Sequence, residues 1–279
     1  MKPEKRFKPT DWALILGASS GFGGATAIEL ARYGMSIFGV HLDRQATMPM
    51  VQDVIKEIKH AGSKAIFYNI NAADPIKQQE TLDEIKERLT EEHGASVKVL
   101  LHSLAFGTLK PFIGKTAEEE MSRAQMEMTV DVMAHSLVYW TQGLMNRHLM
   151  KRGGRIFAMT SSGGHTCIPS YGAVSAAKAS LESHIRQLAM ELGPHGITAN
   201  SLMAGVTDTP ALRKIPNNVK MLEIARAKNP FGRLTSPEDI AKLIVLLSED
   251  GAGFVSGNVI GVDGGEDVSS YIGQKPVGE

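Results

Sequence analysis

The chain has 279 residues, 43% of them hydrophobic, and 30 basic residues balance 30 acidic ones. That balance supplies no basic field of the kind nucleic-acid binding needs, and no apolar run approaches the length of a membrane-spanning helix. A single cysteine, Cys167, excludes an intrachain disulfide and points to a reducing, cytoplasmic setting.

Residues 1–10, with the basic stretch Lys2 to Lys8, read as a flexible, solvated tail that lacks the pattern of a targeting signal. From 11 to 279, short apolar runs alternate with longer amphipathic ones. The runs 12–17, 36–41, 64–70, 97–102, 154–160, 197–202 and 258–262 are short, β-branched or aromatic, and bounded by glycine or polar residues, so they predict strands. Helical spacing marks 52–60, 76–92, 117–149 and 175–192. Strand alternating with helix implies α/β architecture: a single doubly wound Rossmann-type parallel sheet with helices on both faces. No linker or internal repeat divides it. The stretch 204–236, with Pro210, Pro216 and Pro230, follows a strand end, where open α/β sheets bind ligands. It is expected to form a substrate-covering insertion.

After the first strand comes Gly17-Ala18-Ser19-Ser20-Gly21-Phe22-Gly23-Gly24, opening an Ala-rich helix. Glycines there let backbone amides approach a pyrophosphate, and the helix N-terminus adds free N–H groups and a positive dipole end. Gly17, Ser19, Ser20, Gly21, Phe22 and Gly23 are therefore expected to bind a dinucleotide. The second strand ends in His41-Leu42-Asp43-Arg44. An acidic residue at that end favours NAD, and a basic one accommodates the extra phosphate of NADP. His41 and Arg44 argue for NADPH over NADH, while Asp43 pulls the other way.

Further along lies Tyr171-Gly172-Ala173-Val174-Ser175-Ala176-Ala177-Lys178. Four residues advance a helix by about 400° and seven by about 700°, so residue 171 or 174 would share a face with Lys178. An adjacent ammonium favours an ionised phenol or strengthens the hydrogen bond it donates. Tyr171 and Lys178 are thus the candidate catalytic pair, with Ser161 upstream at a strand end. Cys167, in an apolar stretch, reads as filler rather than a nucleophile. The histidines, among them His135, His165 and His184, show no metal-ligand spacing, so no metal is expected.

The glycine turn G-x-x-x-G-x-G, the Tyr/Lys helix and Val262-Asp263-Gly264-Gly265 after the last strand resemble the short-chain dehydrogenase/reductase superfamily over essentially the whole chain. Ordinary members place Tyr four residues before Lys. The seven-residue spacing, with His102-Ser103-Leu104-Ala105, Ile168-Pro169-Ser170 and Lys178-Ala179-Ser180-Leu181-Glu182, resembles the divergent branch of enoyl-acyl-carrier-protein reductases. Val174 and Ser161 resemble the NADPH-using enoyl reductases more than the best-known ones. Ser161 also matches the substrate-binding Ser of carbonyl-reducing members, whereas Asp131 departs from their Asn.

The resemblance implies cofactor contacts from Asn71 and Ala72 after the third strand and from Leu104 after the fourth. It also implies that backbone groups near Thr207 hold the nicotinamide amide, that Thr209 reaches the phosphates, and that Lys178 holds the ribose. It implies reduction of an acyl thioester, on acyl carrier protein or coenzyme A, by a homotetramer built through the 117–149 and 175–192 helices. Reduction of a ketone substrate is the alternative.

Overall fold

The computed structural model describes residues 4–215 and 217–270; Lys2, Pro216 and the last nine residues of the expected catalytic domain lie outside the described residues. Seven strands form one sheet: β1 (Asp11–Leu16), β2 (Ser36–His41), β3 (Ala65–Asn69), β4 (Ser96–His102), β5 (Arg155–Ser161), β6 (Thr198–Ala204) and β7 (Val259–Val262). Their order is β3-β2-β1-β4-β5-β6-β7, with every pairing parallel. The chain winds outward from β1 to β3, then returns to β4 and winds the other way. The carboxyl ends of β1 and β4 therefore frame the crevice where such sheets bind ligands.

Eight helices cover the sheet among the described residues: α1 (Gly21–Arg32), α2 (Met48–His60), α3 (Pro75–Thr90), α4 (Arg123–Val130), α5 (Ser136–Asn146), α6 (Gly172–Leu192), α7 (Asn218–Lys228) and α8 (Pro237–Leu247). Alternation along β1 shows why both faces need cover. Trp12, Leu14 and Leu16 pack with Leu82, Ile85, Leu137, Trp140, Leu181 and Ile185 beneath α3, α5 and α6. Ala13 and Ile15 point the other way, to Ala27, Leu30, Val54, Ile240 and Ile244 of α1, α2 and α8.

Three expectations change. Part of the N-terminal stretch is docked: Arg6 and Phe7 amides donate to the Tyr33 carbonyl at 3.0 and 3.2 Å, and Phe7 is buried while Lys5, Arg6 and Lys8 stay exposed. The helix expected at 117–149 begins only at Arg123, because Ser122 and Gln125 cap each other's backbone there. It is also interrupted by a π-type turn, Asp131–His135, before α5. The Ser136 hydroxyl donates to the Val132 carbonyl at 2.8 Å, competing for a helix acceptor at that turn. Finally, Cys167 is exposed, so it is not core filler.

The 204–236 segment contains α7, which buries only Ala225 and leaves Val219 and Ile224 exposed. Few buried contacts give a helix low local stability, as a moving cover needs.

Candidate active site

The loop between β1 and α1 is built around absent side chains. Gly17 has φ +93°, and a Cβ there would lie 2.3 Å from the Ser103 carbonyl oxygen. A Cβ on Gly23 would lie 2.1 Å from the Gly17 carbonyl oxygen. Ser20, the N-cap of α1, makes no side-chain capping bond, so its hydroxyl leaves the amides of the first turn open to an outside anion. This cradle fits a dinucleotide pyrophosphate. Gly23→Ala is expected to weaken reduced-cofactor binding about tenfold or more through overpacking strain, measured by fluorescence titration. Wild-type affinity in that variant would place the cofactor elsewhere.

At the end of β2, His41 is buried and its Nδ1 lies 3.0 Å from Asp43 Oδ2. Burial opposes ionisation of Asp43, but hydrogen bonds from Thr47 and Ser19 and the His41 contact hold its carboxyl below the ordinary value. Its oxygens are therefore committed within the protein, beside the glycine loop. Arg44 is exposed and its guanidinium forms no ion pair among the described residues. After β3, the Asn71 side chain accepts from the Ala73 amide at 3.0 Å, and the Ala72 carbonyl accepts from Trp140 Nε1 at 2.8 Å. Leu104 stands against the turn, its Cδ2 3.6 Å from the point a Gly17 Cβ would occupy.

Beyond β6, the Thr207 hydroxyl donates to the Gly205 carbonyl at 2.9 Å, and Thr209 Oγ1 accepts from the Leu212 amide at 3.2 Å. The Thr209 methyl approaches Gly21, 3.7 Å from where its Cβ would be. Two segments nearly 190 residues apart thus meet at the cradle. Sequence reasoning missed what supports this loop. Glu266 Oε1 accepts from the Val206 amide at 3.1 Å, and a Cβ on Gly205 would lie 2.8 Å from Glu266 Oε2. Burial pushes the Glu266 carboxyl up, with the Val206 amide and Asn229 in opposition. Its position directly after Asp263-Gly264-Gly265 was the available signal.

Tyr171 is not inside the helix but is the N-cap of α6, and its carbonyl accepts from the Ser175 amide at 2.8 Å. The preceding Ser170 has φ 61°, a strained conformation for a residue with a Cβ. The Tyr171 ring lies over Gly163, whose Cβ would sit 2.5 Å from ring Cε1 and 3.2 Å from Ser161 Oγ. Ser161 Oγ is buried, with the Tyr171 phenol as the polar group beside it. A buried hydroxyl and a phenol side by side suit an incoming oxygen acceptor.

Lys178 is buried, and its Nζ donates to the Met159 carbonyl at 2.7 Å. Burial pushes its pKa down to about 8, with Glu182 pulling upward. For Tyr171, burial pushes the phenol up and the Ser161 hydroxyl only partly offsets this. Burial thus opposes ionisation of the phenol and leaves a strengthened hydrogen bond as the form the pairing with Lys178 can take. Desolvation favours the neutral form of the Tyr171 phenol.

His102 was quoted in the sequence without a role. It is fully buried at the end of β4, and burial, then the Lys178 charge, push its pKa down to about 3. Its Nε2 lies 2.8 Å from Ser136 Oγ, which itself donates to the Val132 carbonyl. The Ser136 hydroxyl must then accept, so the proton sits on Nε2 and Nδ1 is a bare acceptor. His135 Nδ1 and His184 Nε2 lie 3.0 Å apart, and His165 contacts Asp267 at 3.0 Å.

The chain is similar to several known proteins over most of its length. A family model described as Enoyl-(Acyl carrier protein) reductase matches residues 17–266. An NADPH-dependent aldehyde reductase-like protein, chloroplastic, of Arabidopsis thaliana is 30% identical over 262 residues, covering 91% of this chain and 93% of its own. The enoyl-[acyl-carrier-protein] reductase [NADH] of Aquifex aeolicus is 31% identical over 238 residues, 85% of either chain. A crystal structure of an Aquifex aeolicus enoyl-[acyl-carrier-protein] reductase (NADH) superposes with a TM-score of 0.77 at 27% identity, covering 92% of this chain and 96% of that one.

Proposed function

We propose, from the premise that this chain belongs to the short-chain dehydrogenase/reductase superfamily of NAD(P)-dependent oxidoreductases, that it reduces the trans-2 double bond of an enoyl thioester in fatty-acid synthesis. The acyl group is carried on acyl carrier protein or coenzyme A. The observation that carries this reading is the position of Tyr171 at the N-cap of α6, with Val174 buried where ordinary members place their Tyr. Three residues displace the phenol about 4.5 Å along the helix axis, away from Lys178. A carbonyl reductase needs its donor beside the carbon that takes hydride. In a conjugated thioester the oxygen lies two carbons beyond that carbon, where a displaced donor fits.

NADPH, when bound, would supply hydride to the β-carbon, and the α-carbon would take a proton from solvent to complete the saturated thioester. Tyr171, neutral because it is buried, donates a hydrogen bond to the thioester oxygen and stabilises the enolate charge that gathers there. Ser161 Oγ adds a second donor to the same oxygen. Lys178 would hold the nicotinamide ribose, residues near Thr207 the carboxamide, and Thr209 with Gly17, Ser19, Ser20, Gly21, Phe22 and Gly23 the pyrophosphate. Asn71, Ala72 and Leu104 bound the adenine and ring pockets. Phe112 packs on Gly172 beside Tyr171, 2.4 Å from where its Cβ would lie, so the loop after β4 gives the cleft an apolar wall for an acyl chain. The α7 segment closes over it.

NADPH is favoured because Asp43 is committed to internal partners while Arg44 is free to meet a phosphate. Arg44→Ala is expected to raise the NADPH dissociation constant about tenfold and leave that for NADH unchanged. Equal effects on both would remove Arg44 from the cofactor site.

No helix among the described residues is long and apolar enough to cross a membrane. The exposed, unpaired Cys167 fits a reducing cytosol. Assembly as a homotetramer through α5 and α6 would cover Tyr139 and Met190, which those helices expose.

The deciding experiment offers purified protein and NADPH either crotonyl- or acetoacetyl-thioester and follows loss of the reduced cofactor. Turnover of the enoyl substrate supports the reading; turnover of the ketone alone overturns it. The second reading, carbonyl reduction, draws on one observation: Ser161 and Tyr171 converge as two donors would on a ketone oxygen.

A further inference from the structure

Lys178 lies one helical turn before Glu182 on α6, on the same face. Neither is an ordinary surface partner. No direct ion pair joins them among the described residues; each is instead anchored to β5. The Met159 carbonyl accepts from Lys178 Nζ at 2.7 Å, and the next residue, Thr160, donates its hydroxyl to Glu182 Oε1 at 2.6 Å. Thr160 is itself buried. The turn after β5 seals both contacts with a glycine: a Cβ on Gly164 would lie 3.1 Å from Glu182 Oε1 and 3.5 Å from Lys178 Cβ. Two consecutive strand residues thus clamp a cation and an anion in register.

We propose that Glu182 is the positioning residue and counter-charge of Lys178, clamped by Thr160 so that the buried amine one turn away remains a cation aimed along β5. The physical need is plain. A buried ammonium with one carbonyl acceptor loses hydration that a single neutral hydrogen bond does not replace. Other groups facing Lys178 do not supply the charge. His102 on β4 stays neutral above about pH 3. Tyr171 at the N-cap is a neutral phenol. On α4 and the π-type turn, Glu127 pairs with Arg123 at 2.8 Å and His135 bonds His184, leaving Asp131 as the remaining carboxylate. The burial that lowers Lys178 toward pH 8 is opposed by Glu182. Asp131 does not enter that balance.

The inference rests on Lys178 serving the bound cofactor, but its test needs neither cofactor nor substrate. In cofactor-free protein, the Lys178 amine is titrated by nitrogen NMR, assigned by its absence in Lys178→Met. Glu182→Gln keeps an oxygen for Thr160 and removes only the charge. Its Lys178 midpoint is expected to fall by about one pH unit, and the alkaline limb of turnover to move with it. Glu182→Asp should restore both, which a purely structural role would not require. The reduced-cofactor dissociation constant should rise several-fold at pH 8 and change little at pH 6.5. An unchanged midpoint in Glu182→Gln overturns the proposal. Should that variant not fold, Thr160→Val decides: an unclamped carboxylate lowers the midpoint, and an unmoved one overturns the clamp. If the midpoint shifts while cofactor affinity does not, the counter-charge holds and the cofactor role of Lys178 fails instead.

Discussion

Tyr171→Phe is expected to lower turnover by about 10²- to 10⁴-fold while cofactor affinity and the thermal midpoint stay near those of the wild type. The ring itself packs over Gly163 and would be retained, so the variant loses only the hydroxyl. That hydroxyl has its strongest hydrogen bond when negative charge develops on the substrate oxygen, not in the ground state. The loss should therefore appear in kcat more than in KM. Because burial holds the phenol up, the wild-type enzyme should keep its donor protonated throughout the neutral range. A rate that rises with pH as a phenolate forms would contradict that. Steady-state kinetics with an enoyl thioester, beside fluorescence titration of the reduced cofactor, measures both parts. A Phe variant within about threefold of the wild type removes Tyr171 from the chemistry.

Lys178→Met should separate function from stability. Turnover is expected to fall by about 10³-fold, matching loss of a group that orients the reacting partner, and cofactor affinity should fall with it. The fold, in contrast, should not suffer. In the folded protein the Lys178 pKa is about 8, against 10.5 for a free side chain. Between those values the unfolded chain binds more protons, so wild-type stability rises as pH climbs from about 8 to about 10.5. Below pH 8 the full cost of burying the cation remains, roughly 3 kcal/mol. Methionine removes that cost, against about 2 kcal/mol for the lost charged hydrogen bond to the Met159 carbonyl. A thermal midpoint at pH 7 equal to or a few degrees above the wild type is expected. The variant should also lose the alkaline rise in stability. Calorimetry at pH 7 and pH 9.5 reads both. A clear fall at pH 7 would mean that Lys178 stabilises the fold.

These two residues also show what was legible in the chain and what was not. Their seven-residue spacing put them on one helical face by arithmetic, and the structure keeps both at that end of α6. The arithmetic assumed that Tyr171 was helical, whereas it caps the helix after the strained Ser170. The same lesson recurs at α4. Apolar spacing ran through 117–149, but the reciprocal bonds of Ser122 and Gln125 set the start and the Ser136 hydroxyl helped break the ladder. Periodicity reports which residues can share a face; it is blind to side chains that compete for backbone partners.

The amino-acid sequence determined the seven strands in order, the parallel winding and the tight glycine turn, and it singled out Tyr171 and Lys178 as candidates. Each depends on local backbone geometry and on apolar alternation, which neighbouring residues specify. Only the tertiary structure decided that burial raises the Tyr171 phenol, that His102 is buried against Ser136, that Glu266 braces the loop after β6 and that Thr160 binds Glu182 one turn from Lys178. Those properties come from desolvation and from charges brought together by the sheet, so they depend on partners remote along the chain.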